Sequence, residues 1–110
     1  MVRVFYEKQK PLNGSVEDFI IARHEFDENS KEFFGFSVTQ ISQVPDEVYT
    51  ILRYYCSHGY CHCHRFYQSL NSKREDLQMP ITPKTFAWCR KDILDNWQEY
   101  KKRYFSRWLK

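Results

Sequence analysis

Between Cys56 and Arg65 the chain reads Cys-Ser-His-Gly-Tyr-Cys-His-Cys-His-Arg, gathering three of its four histidines and three of its four cysteines. Two chemistries use such side chains. An imidazole exchanges protons near neutral pH, an arginine offers a fixed cationic fork to phosphate, and a tyrosine hydroxyl can orient either. That combination suits metal-free phosphodiester chemistry. Imidazole nitrogen and thiolate sulfur are also the preferred ligands of zinc.

Successive side chains of a strand face opposite sides, so His62 and His64 share one face while Cys61 and Cys63 share the other. A hairpin closed through Cys56 to Gly59 predicts Arg53 opposite His62 and Ile51 opposite His64, with Tyr55 near Tyr60. A turn shifted by one residue on both sides sets Arg53 opposite His64 and leaves the same side chains on that face. The candidate catalytic residues are therefore Arg53, His62 and His64, joined by His58 in the connecting turn, with Tyr55 and Tyr60 as substrate contacts. The plainer explanation of His-x-His on a strand is two exposed or hydrogen-bonded imidazoles. Arg53 across the hairpin is what raises the chemical one. The opposite face is expected to carry Val48, Leu52 and Tyr54 with Cys61 and Cys63, an apolar surface for a helix to cover.

A zinc site would draw on Cys56, His58, Cys61 and His62, although a strand would have to bend to converge them. No second ligand pair exists, since Cys89 and His24 each stand alone in the sequence. No cofactor is expected, with zinc as the runner-up. Three glycines, Gly14, Gly35 and Gly59, leave no room for a phosphate-binding glycine loop or a nucleophile elbow. The acidic pairs Glu17-Asp18, Asp27-Glu28 and Glu75-Asp76 fall at expected turns, strand starts or loops, where solvated charge is the ordinary explanation.

The elements that position these residues are predicted to form an α+β domain, an antiparallel meander of about four strands with a long amphipathic helix on one face. Residues 1–15 read as an arm or short strand closed by the Asn13-Gly14 turn. Residues 16–68 read as the meander: a first strand to Phe26, a second in which Phe34, Phe36 and Val38 alternate with polar residues, a third over 48–55 after Pro45-Asp46, and a fourth from Tyr60. Residues 69–82 read as a connecting loop. Thr82-Pro83 is a helix start, a capping hydroxyl followed by proline where no N–H is needed. The helix is predicted over 83–109, with Phe86, Arg90, Ile93, Trp97, Tyr100, Tyr104 and Trp108 along one stripe.

A chain of 110 residues, 42% hydrophobic and 28% charged, has the size and composition of one folded domain rather than a disordered segment. Its opening residues lack the apolar core of a signal peptide, and no stretch approaches the roughly 18 apolar residues of a membrane span. The clustered cysteines fit reduced thiols better than a distributed disulfide framework. A cytoplasmic protein with no membrane association is expected. The net charge of +3 is uneven: Lys101, Lys102 and Arg103 open a basic end that could meet RNA or an acidic protein, or could simply complement a helix C-terminus.

Arg53-Tyr54, His58-Gly59 and His62-x-His64, following a strand that ends near Ile41, resemble toxins of the TumE type from bacterial and archaeal toxin–antitoxin pairs. The resemblance covers roughly residues 19–66 and does not extend to the C-terminal helix. Where that signature has an acid after Arg-Tyr, this chain has Tyr55. The resemblance implies a small α+β protein acting on RNA or translation and paired with a cognate antitoxin that binds DNA. Three functions follow: a nucleic-acid-associated protein with metal-independent ribonuclease activity; a non-enzymatic module docking on another protein or a second copy as a homodimer; and a zinc-binding module.

Overall fold

The breaks in the hydrophobic pattern become hairpin turns, each with an identifiable cause. Asn13 and Gly14 both take positive φ angles, 43° and 77°, the conformation that Asn and Gly adopt most cheaply. The Asp27 carboxylate accepts the backbone N–H groups of Ser30 at 2.7 Å and Asn29 at 3.2 Å, fixing the next turn. Pro45-Asp46 links Val44 directly to its partner Glu47, and Gly59, at φ 82°, lies between the paired residues Ser57 and Tyr60. The computed structural model describes residues 3–57, 59–68 and 74–108.

Between these turns run β1 (Arg3–Pro11), β2 (Asp18–Asp27), β3 (Phe33–Val44), β4 (Glu47–Ser57), β5 (Tyr60–Arg65) and β6 (Arg74–Met79), followed by the helix α1 (Pro83–Trp108). The strands form one antiparallel sheet in chain order. The α+β class, the meander and the single C-terminal helix are as the sequence predicts; the strand number is six rather than about four. The N-terminal arm is a full edge strand. The expected loop over 69–82 contains β6, which pairs with β5 and so satisfies backbone groups that β5 would otherwise leave open. Neither strand announces itself in the sequence, because β1 is exposed along almost its whole length and, among its described side chains, β6 adds Leu77 and Met79 to the core.

Two bulges alter the predicted faces. At Glu25/Phe26 the register skips Phe34, so Phe33 joins Phe36 and Phe86 in the core while Phe34 turns to the other side. At Gln40/Ile41 an extra residue in β4 inverts the alternation. Tyr49 therefore packs on Tyr104 and Phe105 from α1, and Val48, expected in the core, is 58% exposed.

Thr82 caps α1 as expected, its hydroxyl accepting the Thr85 N–H at 3.2 Å. The helix lies over β2, β3 and β4 and buries Phe86, Cys89 and Ile93. Cys89 rather than Arg90 occupies the stripe at that turn; Arg90 faces outward with its guanidinium 4.8 Å from the Phe86 ring. The Gln40 side-chain amide, fully buried, donates to the Trp97 carbonyl at 2.9 Å and ties sheet to helix. Among the described residues no helix is long and apolar enough to cross a membrane. All the helical packing falls on one side, and the other face of the sheet carries the candidate site.

Candidate nucleic-acid interface

The β4–β5 hairpin takes the shifted register: Arg53 stands opposite His64, Tyr55 opposite His62 and Ser57 opposite Tyr60. Arg53, Tyr55, His62 and His64 share the uncovered face, and neighbouring strands extend the two rows. One runs Glu7, Arg23, Ser37, Tyr55 and His62; the other runs Gln9, Ile21, Thr39, Arg53 and His64. Asp76, expected in a solvated loop, occupies the register position beside His62.

The two imidazoles are held differently. His62 is only 4% exposed and stacks on Tyr55, with ring centroids 5.5 Å apart. His64 stacks on Phe66 at 4.0 Å and keeps partial access to solvent. His64, although its Nε2 is buried, is the more accessible of the two and stands opposite the exposed Arg53. His58 lies outside the described residues, and Tyr60 is 49% exposed at the hairpin end.

Three arginines on this face lie against aromatic rings: Arg23 over Phe5 at 4.0 Å, Arg53 near Tyr55 at 5.9 Å and Arg3, which also pairs with Glu25 at 3.5 Å, over Phe34 at 4.6 Å. Phe5, Phe34, Tyr55, Arg23 and Arg53 border a shallow depression of about 330 Å³ across β1 to β4. Of these five, only Arg53 and Tyr55 are legible as site residues in the sequence. Arg3, Phe5 and Arg23 belong to strands whose pairing cannot be seen locally, and Phe34 reaches this face through a bulge.

The other face holds the thiols. Cys61 and Cys63 are fully buried with Leu52 and Tyr54, as predicted, and Cys61 Sγ lies 3.8 Å from Cys89 Sγ. Burial pushes the Cys63 thiol up to about 12 and Cys56 to about 11; Cys89 is raised by its contact with Cys61 and by burial. The proposed zinc set is divided, since Cys61 and His62 point to opposite faces, and among the described residues no three His, Cys, Asp or Glu side chains converge. In native protein, Cys61, Cys63 and Cys89 should resist a thiol reagent at about pH 8 and partly exposed Cys56 should react slowly, because the thiolate is the nucleophile. Unfolding should release all four, and rapid native reaction of two or more would contradict this packing.

The basic end is mostly engaged. Lys101 is bound to Asp18 at 2.9 Å and Glu17 at 3.0 Å, so it is not the free substrate contact expected of it. Asp18 is correspondingly 2% exposed, not solvated, and Asp27 is 5% exposed in its turn. Arg103 pairs with Glu99 at 3.1 Å, while Lys102 remains exposed. Tyr104 and Phe105, near the end of the helix, pack on Tyr49.

Fold and site together define an α+β protein in which a helix closes one face of an antiparallel sheet and leaves a basic, aromatic face open. The chain belongs to a family described as a domain of unknown function (DUF7718), which matches residues 7–110. No curated protein and no solved structure matches it.

Proposed function

We propose that the protein binds single-stranded RNA across the uncovered sheet face. The observation that carries this reading is the set of three arginine–aromatic stacks on that face, Arg3 with Phe34, Arg23 with Phe5 and Arg53 with Tyr55. Unpaired bases stack on aromatic rings and guanidinium planes, while the guanidiniums of Arg23 and Arg53 attract the phosphates between them. An antiparallel sheet suits this use because its strand spacing of about 4.8 Å spreads such side chains along a strand-like ligand.

Binding is measured with labelled single-stranded oligonucleotides at fixed salt. Arg23→Ala, Arg53→Ala and Tyr55→Ala should each weaken it by roughly 5- to 100-fold, the range for losing one base-stacking or charged contact. Lys84→Ala, an exposed charge on α1, should change it little. Equal affinity in the three face variants would refute the reading, as would equal preference for duplex.

A metal-independent ribonuclease is the second reading, favoured by His64 standing opposite Arg53. Arg53 would hold the scissile phosphate and His64 would exchange the proton, with a cognate antitoxin as the expected protein partner. Cleavage in the presence of a chelator, reduced about 10²- to 10⁴-fold in His64→Ala, distinguishes it from binding alone.

A further inference from the structure

A second recess lies on the helix-covered side of the sheet, where β1 and β2 run beside the first half of α1. It has a volume of about 580 Å³, within the usual ligand-pocket range of roughly 300–1,000 Å³. Ile20 and Phe86, 5% and 8% exposed, form its floor; Tyr6 and Leu94, 54% and 53% exposed, stand at its mouth. Tyr6, His24 and Phe86 make a run of rings along it, with successive centroids 5.4 and 5.3 Å apart.

Four cations from two elements border this floor, Lys8 and Lys10 from β1 and Arg90 and Lys91 from α1, with no carboxylate among the lining residues. Lys91 is neutralised by Asp95 at 2.6 Å. Among the described residues, Lys8, Lys10 and Arg90 have no carboxylate partner. The uncompensated field registers on its neighbours. Lys8 and, more weakly, Arg90 lower the Lys10 ammonium pKa, while burial and then Arg90 lower that of His24.

We propose that this cleft binds an aromatic organic phosphate of nucleoside monophosphate size. Its phosphate would lie among Lys8, Lys10 and Arg90, and its base would rest on Phe86, His24 and Tyr6. A phosphate monoester brings about two negative charges and three acceptor oxygens to a place where three cations lack a counter-charge. The ring-lined floor favours a planar aromatic body over a flexible acyl chain, which would gain less from stacking. The site lies across the sheet from Arg53, so it is independent of the proposed RNA-binding face.

The test is a titration of the intact chain, followed by amide chemical shifts, with AMP, GMP, CMP and UMP and with adenosine, inorganic phosphate and decanoate as separate probes. At least one nucleotide should give saturable shifts centred on Ala22, His24 and Ala87. Adenosine and phosphate alone should bind at least about tenfold more weakly, because each makes only half of the contacts. Lys10→Ala combined with Arg90→Ala should lower nucleotide affinity by about tenfold or more, whereas Arg53→Ala should leave it unchanged. Both replaced side chains are exposed, and circular dichroism checks that the variant is folded. The proposal is overturned by the absence of saturable nucleotide binding, by undiminished binding in the folded double variant, or by binding of decanoate in preference to every nucleotide.

Discussion

Asp92→Ala is expected to lower the unfolding free energy by roughly 2–5 kcal/mol, the range for stripping the acceptor from buried donors in a connected network. One carboxylate on α1 accepts the Tyr54 hydroxyl, the Tyr100 hydroxyl at 2.8 and 2.9 Å and the Asn96 amide at 3.0 Å. Tyr54 is only 1% exposed, in the centre of β4, so water cannot readily take the place of Asp92. Burial, followed by the hydrogen bond to Asp92, raises the pKa of both tyrosines. Adding Tyr54→Phe to Asp92→Ala should cost less than the sum of the two single changes, because each removes the same bond. Urea unfolding at neutral pH measures the series; a loss below about 1 kcal/mol for Asp92→Ala would show that the network does not hold the helix on the sheet.

Lys101→Ala should cost roughly 2–4 kcal/mol, toward the lower side of values for breaking a buried pair because Lys101 keeps some contact with solvent. Its removal strands Asp18, whose Oδ2 accepts Ser15 at 2.7 Å and whose Oδ1 has no partner among the described residues. Burial opposes the Lys101 charge, but the hydrogen bonds and charges of Asp18 and Glu17 outweigh it and raise the ammonium pKa. A raised ammonium pKa gives stability that is fully present below the unfolded value of about 10.4 and is lost as pH rises through the folded value. The difference between wild type and Lys101→Ala should therefore persist at about pH 8 and narrow toward about pH 12.

Tyr54, Tyr100 and Cys63, also raised, act in the same direction on the wild type. The unfolded chain releases their protons from about pH 8.5 to 10 while the folded chain retains them, so stability falls on the alkaline side. Unfolding free energies of both proteins between about pH 8 and about pH 12 decide the matter. A loss in Lys101→Ala that stays constant with pH would mean the ammonium is not what holds Asp18.

How far the site was legible follows from the kind of signal each part leaves. Alternation over Tyr60 to His64 and the Gly59 turn sufficed to put Arg53, Tyr55, His62 and His64 on one face, because a two-residue change in pairing leaves every side chain on the same side. Thr82-Pro83 and the spacing of Phe86, Ile93 and Trp97 sufficed for the helix. These are local properties, written into residues a few positions apart. The identity of the open face was not local. Arg23 meets Phe5 only because β1 pairs with β2, and Phe34 joins them only because a bulge removes it from the core phase. A bulge costs one residue and inverts everything after it, yet leaves no distinctive residue type behind.

Charge was the least legible quantity. Lys101 and Lys102 adjoin in the sequence and look equivalent, but one closes a pair with Asp18, 83 positions earlier, and the other remains exposed. Lys8, Lys10 and Arg90 look like scattered surface cations and converge only where an edge strand meets a helix. By itself, then, the sequence determined the class of fold, the helix and the face of each residue in the β4–β5 hairpin, since period, turn chemistry and capping act over a few residues. Tertiary structure alone decided which charges are neutralised, which aromatics stay outside and where cavities open, because these depend on pairings between segments whose contacts have no local period to reveal them.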